Sequence, residues 1–267
     1  MKIVFVTRED PIFIPLYLEP SLKNNLDNKF YIVIMEGVPP NSRDYRYLLK
    51  LLKLYGPKDF IIKVLQLVLY KMAMFLPASL TKRYYSVIKM ARDYNAILHY
   101  TSDVNGKKFL NWLKKIKPDI VMSVTCPQIF KNELLSLPNK GCLNIHTSLL
   151  PKNKGWEPVF WAMYKGEKHT GVTVHWMVER FDSGPILVQK RIKIKGGESW
   201  FELNKVLAKL GGEAIKETLE GIKSGVIKEC INDSKKETIN HFPSVEEVRN
   251  FKKKGLIVVK FSEIFPS

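Results

Sequence analysis

Two short stretches of this chain, residues 141–155 (GCLNIHTSLLPKNKG) and 181–184 (FDSG), carry the side chains whose types and spacing could do chemistry. Asn144 and His146 are two residues apart, so on an extended strand both project from the same face. A strand end built this way presents an amide and an imidazole to one reacting atom. Leu149, Leu150 and Pro151 then stop the regular structure, because proline lacks a donor and fixes its own φ, and Gly155 frees the backbone for a close turn. Taken singly, an Asn, a His or an Asp near a strand end is an ordinary cap or turn residue. The chemistry is in their combination.

The pattern Asn-x-His-x-Ser-Leu-Leu-Pro-x-x-x-Gly, with an Asp about 35 residues further on, lies inside a longer stretch, 118–189, that includes PDIVMSV, CPQIF, GVTVHWM and DSGPILVQ. This stretch resembles the folate-dependent formyltransferases, which include glycinamide ribonucleotide transformylase, methionyl-tRNA formyltransferase and, most similar here, the amino-sugar N-formyltransferases. The resemblance implies attack of an amine on the carbonyl of 10-formyltetrahydrofolate as co-substrate, with no metal. Asn144 would orient the amine and donate to the formyl oxygen, and His146 would stabilise the oxyanion or accept the amine proton. Asp182 would fix the charge and tautomer of His146 and relay the proton. The same likeness implies that Thr125, Cys126, Pro127, Gln128 and Ile129 line one wall of the folate pocket, with Val178, Glu179, Arg180 and Phe181 opposite. Ser148, Lys152, Lys154 and Trp156 would meet the acceptor. The family often has Arg-Gly after the proline; Lys154-Gly155 followed by a bulky Trp156 departs from that and leaves the acceptor open. His169 and His175 fall on no functional position of the family and read as structural.

The elements that must hold these residues read as a doubly wound, mostly parallel α/β sheet, the Rossmann-like formyltransferase fold, with a short α+β tail. Residues 2–7 and 30–36 are apolar runs of strand length with a helical crossover over 16–26 between them. After a proline-rich break at 38–43, residues 45–54 and 60–76 read as helices. The second of these, FIIKVLQLVLYKMAMFL, is the most apolar part of the chain, and a buried or pairing helix, a membrane-surface helix and a marginal span are all readings of it. Residues 86–94 and 103–117 read as helices, 97–99 and 120–124 as strands, and Phe109, Trp112, Leu113 and Ile116 keep helical spacing. Beyond the Asn144 strand come a helix at 159–164, strands at 171–178 and 186–194, and a helix over 200–225 weakened at Gly211-Gly212. The tail holds a short segment at 239–242, a capped helix at 244–253 with Glu247 in capping-box position, and a strand at 256–260. We expect a catalytic domain over 1–225, with a helical insertion at 45–95, and a C-terminal extension over 226–267.

Composition narrows the partners. The 267 residues are 45% hydrophobic, which excludes disorder, and 43 Lys and Arg against 26 Asp and Glu give a formal net charge of +17. Such a field favours anionic partners: phosphorylated small molecules, the glutamate tail of folates, nucleic acid or an anionic membrane surface. No nucleic-acid motif accompanies it, so no nucleic acid is expected unless it is tRNA, and the partner the resemblance implies is a small-molecule amine acceptor, here expected to be phosphorylated. A homodimer and a weak membrane-surface contact are left open. Cys126, Cys142 and Cys230 form no CxxC pair, and Arg8-Glu9-Asp10-Pro11 after the first strand is no dinucleotide fingerprint. The opening MKIVFVTRED is too short for a secretory apolar region, which makes the cytoplasm the expected location. The tail is too short for the C-terminal barrel that methionyl-tRNA formyltransferases append. Formylation of a nucleotide-linked or lipid-linked amino sugar in surface-polysaccharide synthesis is therefore the first reading. Methionyl-tRNA or glycinamide ribonucleotide as acceptor is the alternative, and a non-catalytic folate-binding protein is the third reading.

Overall fold

The computed structural model of the protein describes residues 1–23, 27–37 and 45–266; the break at 38–43 and the end of the first crossover lie outside them. In chain order the elements are β1 (Lys2–Thr7), α1 (Ile14–Lys23), β2 (Lys29–Met35), α2 (Tyr45–Ala73), α3 (Ala78–Thr81), α4 (Val87–Asp93), β3 (Ile97–Thr101), α5 (Lys107–Ile116), β4 (Ile120–Ser123), α6 (Asn132–Leu135) and β5 (Gly141–His146). There follow β6 (Lys154–Gly155), α7 (Pro158–Tyr164), β7 (His169–Trp176), β8 (Ile186–Lys193), α8 (Trp200–Ser224), β9 (Ile239–Asn240) and α9 (Val245–Lys253).

The main sheet runs β3-β2-β1-β4-β5-β7-β8, and its first five strands are parallel. The chain works outward from β1 to β3 and then returns to β4 and β5, so the direction of winding switches between β1 and β4. In sheets of this kind ligands gather beyond the carboxyl ends of the strands at the switch. β7 pairs antiparallel with β5, and β8 with β7. The doubly wound reading therefore holds with an antiparallel edge added.

Alternation explains the two cores. Ile3 and Phe5 of β1 point into one apolar layer with Leu18, Leu143, Leu207 and Ile215, while Val4 and Val6 point into the other with Phe109, Leu113 and Cys142. Both faces are covered, as the continuous apolar runs of β1 and β4 demand. Residues beyond 225 join the first layer through Val248, Phe251, Val258, Val259 and Ile264, and Phe251 stacks on Phe160 with ring centroids 4.8 Å apart.

Three readings change. Residues 45–54 and 60–76 do form two helices, which meet at a kink within α2 where Gly56 leaves helical geometry (φ 74, ψ 164) ahead of Pro57, but the second ends at Ala73 and not at 76. Residues 256–260 make no strand: Ile257 has only an isolated bridge to Ser199, and its carbonyl accepts from Trp200 N–H at 2.8 Å, which ties the tail to the start of α8. The Gly211-Gly212 pair lies within an unbroken α8, because it lets α8 close on α1. A Cβ at Gly212 would stand 2.4 Å from the Leu16 carbonyl oxygen, and one at Gly211 would stand 2.4 Å from the Tyr17 ring. Gly212→Val is accordingly expected to destabilise the protein by about 1–3 kcal/mol through overpacking, read as a lowered midpoint in urea.

Candidate active site

β5 ends at His146, and its register sets Asn144 beside Ser123 of β4 on one side and His175 of β7 on the other. Period two puts the side chains of Asn144 and His146 on the same face. Beyond His146 the backbone turns through the cis Leu150–Pro151 bond to β6, which pairs with β9. Gly155 has φ 87, and a Cβ there would stand 2.4 Å from the Asn240 carbonyl oxygen, so only glycine fits. This placement aims the Gly155 N–H at Asp182 Oδ2, 2.9 Å away.

Asp182 sits in a turn with φ 49, and the Asn232 amide holds that turn by donating to the carbonyl oxygens of Asp182 (2.9 Å) and Gly184 (3.1 Å). The carboxylate thus returns over β5. Asn144 Nδ2 lies 3.4 Å from Asp182 Oδ1, and His146 Nδ1 lies 3.7 Å from Asp182 Oδ2. Asn144, His146 and Asp182 are therefore brought to one place. His146 Nε2 lies 2.8 Å from the Asn153 carbonyl, which can only accept, so Nε2 carries hydrogen and the ring's other nitrogen faces the carboxylate. Burial alone would raise the Asp182 carboxyl, but His146, His175 and the Gly155 N–H outweigh it and hold the group well below the usual carboxylate range.

His175 belongs to this cluster and does more than fill the core. Its Nδ1 meets the Trp176 carbonyl at 2.7 Å, which assigns the hydrogen there and leaves Nε2 to accept from Asn144 Nδ2 at 3.3 Å, with Asp182 Oδ1 at 3.6 Å. Sequence reading set His175 aside because its place beside Asn144 comes from the antiparallel pairing of β5 and β7, which strand periodicity does not reveal. Asn153 and Gly155 contribute backbone groups, which leave still less trace in a sequence.

The remaining expected residues divide. Gln128 pins the loop after β4: its Oε1 accepts from Val104 N–H at 2.9 Å and its Nε2 donates to the Ser102 carbonyl at 2.8 Å. Cys126 is half-buried beside it, its thiol pushed up to about 11 by burial, and Thr125 is exposed with φ 54. Ile129, Val178 and Phe181 stand exposed at 70%, 43% and 44%. Glu179 is exposed, and Arg180 is spent on an ion pair with Glu237.

Two of the residues expected at the acceptor face the other way. Ser148 is buried, and its hydroxyl donates to the Lys152 carbonyl at 2.7 Å, closing its own turn. Lys154 is only 1% exposed, its ammonium bound at 2.8 Å by both Ser183 Oγ and Glu237 Oε2. A buried ammonium needs a fixed counter-charge, and Glu237 supplies it. Lys154 thus ties β6 to the Asp182 turn. Lys152 and Trp156 are exposed, and the indole meets Phe242 edge-on at 6.2 Å.

The profile of the Formyl transferase family matches residues 77–219, more than half of the chain. The chain belongs to the formyl transferase family. Methionyl-tRNA formyltransferase of Kosmotoga olearia is 39% identical over 142 residues, covering 53% of this chain and 46% of that protein. The chain thus spans about half the length of the curated relatives it matches. Among solved structures, a sugar N-formyltransferase from a Shewanella species superposes with TM-score 0.60 at 20% identity, covering 90% of this chain and 76% of the other. Glycinamide ribonucleotide transformylase 1 of Symbiobacterium toebii does so with TM-score 0.58 at 16% identity, covering 87% and 94%. At these identities the two structures speak for the fold, and they share it across nearly all of this family member, including parts outside 77–219.

Proposed function

We propose that this formyl transferase carries a formyl group from 10-formyltetrahydrofolate to a primary amine, with Asn144, His146 and Asp182 as its catalytic residues. The observation that carries the reading is the convergence of an amide, an imidazole ring and a buried carboxylate at the end of β5. The co-substrate, when bound, supplies the formyl carbonyl. Asn144, whose contact with Asp182 Oδ1 is long at 3.4 Å, donates to its oxygen as negative charge gathers there, in a site where much of the water is already excluded, and His146, whose Nε2–H is held by the Asn153 carbonyl, accepts the amine proton at Nδ1. Asp182, held ionised, balances a His146 that becomes cationic and relays the proton leaving the amine. The residues present suit a flat ring system, because Ile129, Val178 and Phe181 offer apolar surface that such a ring would cover, and Gln128 stiffens the loop after β4. Val104 N–H and Ser102 O already occupy the Gln128 side chain, so backbone groups of Thr125, Cys126 and Pro127 are the ones left to read the ring. Calorimetry with the 5-formyl analogue tests this: binding is expected in the presence of a chelator, and the absence of heat or thermal shift at millimolar ligand would overturn the folate reading.

For the acceptor, the reading is an amino sugar carried on a nucleotide or lipid phosphate. The exposed Trp156 and Phe242 pair supports it: the indole follows Gly155 directly, whose N–H touches Asp182, and can cover a sugar or base face. With Lys154 turned inward, Lys152 is the loop cation left for phosphate. The identity to methionyl-tRNA formyltransferases over 53% of the chain favours a second reading, tRNA as acceptor. A panel of thymidine- and uridine-diphospho amino sugars, glycinamide ribonucleotide and methionyl-tRNA, read as loss of formyl-folate, separates the two. Turnover of an amino sugar supports the first reading; turnover of methionyl-tRNA or glycinamide ribonucleotide alone rejects it and leaves formyl transfer standing.

A further inference from the structure

Beyond Gly56, α2 is apolar on two sides. Ile62, Tyr70 and Ala73 are buried against the body, with Tyr70 edge-on to Tyr85 and Phe201. On the opposite side Ile61, Val64, Leu65, Val68 and Met72 stand 40% to 61% exposed, and Phe75 and Leu80 in the following turns are 87% and 68% exposed. A surface helix ordinarily turns charged residues outward, and one that is apolar nearly all round is ordinarily enclosed. An outward stripe of this breadth marks an interaction surface. All of α2 lies outside residues 77–219, so its surface is not part of the matched formyl transferase core.

Charge chooses the partner. From residue 45 to 83 the sequence has eight Lys and Arg against a single acid, Asp59, which is buried and paired with Lys252 at 2.5 Å. Lys50, Lys53, Lys58, Lys71 and Lys82 are all exposed. At 100° per residue Lys58 and Lys71 fall on the two borders of the apolar stripe, where long side chains can reach past it. No helix among the described residues is long and apolar enough to cross a membrane, so the stripe must be met in the plane of a surface. A second copy of this face would bring two strongly positive segments together. We propose that the outer face of α2 docks on the surface of an anionic lipid bilayer, with Leu65, Val68, Met72 and Phe75 entering the headgroup boundary and the lysines meeting lipid phosphates.

Cosedimentation of the full chain with vesicles tests this. Binding to phosphatidylcholine vesicles containing about one third phosphatidylglycerol is expected, about tenfold or more tighter than to phosphatidylcholine alone, and weakened as salt rises from about 0.05 to about 0.5 M. Leu65→Asn with Met72→Asn, both on the exposed side, should leave the melting temperature unchanged and weaken binding by about tenfold or more. Should that variant fold poorly, Lys58→Gln with Lys71→Gln must still lower binding to anionic vesicles by about tenfold or more. No binding to anionic vesicles, or equal binding by these variants, overturns the proposal. So does a wild-type dimer in sedimentation velocity that the Leu65→Asn and Met72→Asn changes render monomeric, since a second copy would then cover the stripe.

Discussion

Asp182→Asn is expected to lower formyl-transfer turnover by about a hundredfold or more while the protein stays folded. The change is nearly isosteric, and an amide oxygen can still accept from the Gly155 N–H that meets Oδ2 at 2.9 Å. It removes the charge facing His146 and His175, and with it the proton acceptor. The same substitution has a signature in stability. The folded Asp182 carboxyl lies below its unfolded value, so its ionisation stabilises the fold at every pH above the unfolded value, about 4, and that contribution disappears as pH falls toward the folded one. Urea unfolding of wild type and Asp182→Asn should therefore differ most near pH 7 and converge in acid. Turnover within a few fold of wild type would remove Asp182 from the mechanism, and a stability gap constant in pH would mean that the carboxylate is not held as described.

How much of this could be read from sequence depends on which physical signal each feature leaves. β1 and β4 were legible because strands buried on both faces must be apolar throughout, and their runs are. The α9 capping box was legible because Ser244 and Glu247 sit three apart, and both reciprocal bonds are present. The proximity of Asn144 and His146 follows from strand period alone. The two helices of α2 were legible as separate apolar runs on either side of Gly56-Pro57, and Gly56 is where the backbone leaves helical geometry. What was not legible depends on pairing across long sequence separations. His175 meets Asn144 only through an antiparallel register, and Lys154 is buried only because Glu237, 83 residues away, returns to it through the β6 and β9 pairing. A lysine in a polar loop reads as solvated, and nothing within its own stretch says otherwise. Gly211-Gly212 misleads for the same reason, as its purpose lies in α1.

Asn144→Ala and His146→Ala are each expected to cost about a hundredfold or more in turnover, yet the double variant should lose far less than the product of the two. Both groups serve one transition state, Asn144 at the oxygen that gains charge and His146 at the proton the amine loses, and both lie against the same carboxylate: Asn144 Nδ2 at 3.4 Å from Oδ1 and His146 Nδ1 at 3.7 Å from Oδ2. Removing Asn144 also leaves His175 Nε2 without its donor at 3.3 Å, so part of what the first substitution destroys is the arrangement the second would otherwise disturb. Residues acting on one transition state behave as a unit, whereas independent sites multiply. The check is a double-mutant cycle on turnover, with 5-formyl analogue binding as control. Binding should change little in either variant, because their contribution is concentrated where charge develops and the ring lies against other residues. Losses that multiply would mean that the two side chains serve different steps, and an equal loss in analogue binding would assign them to holding the co-substrate.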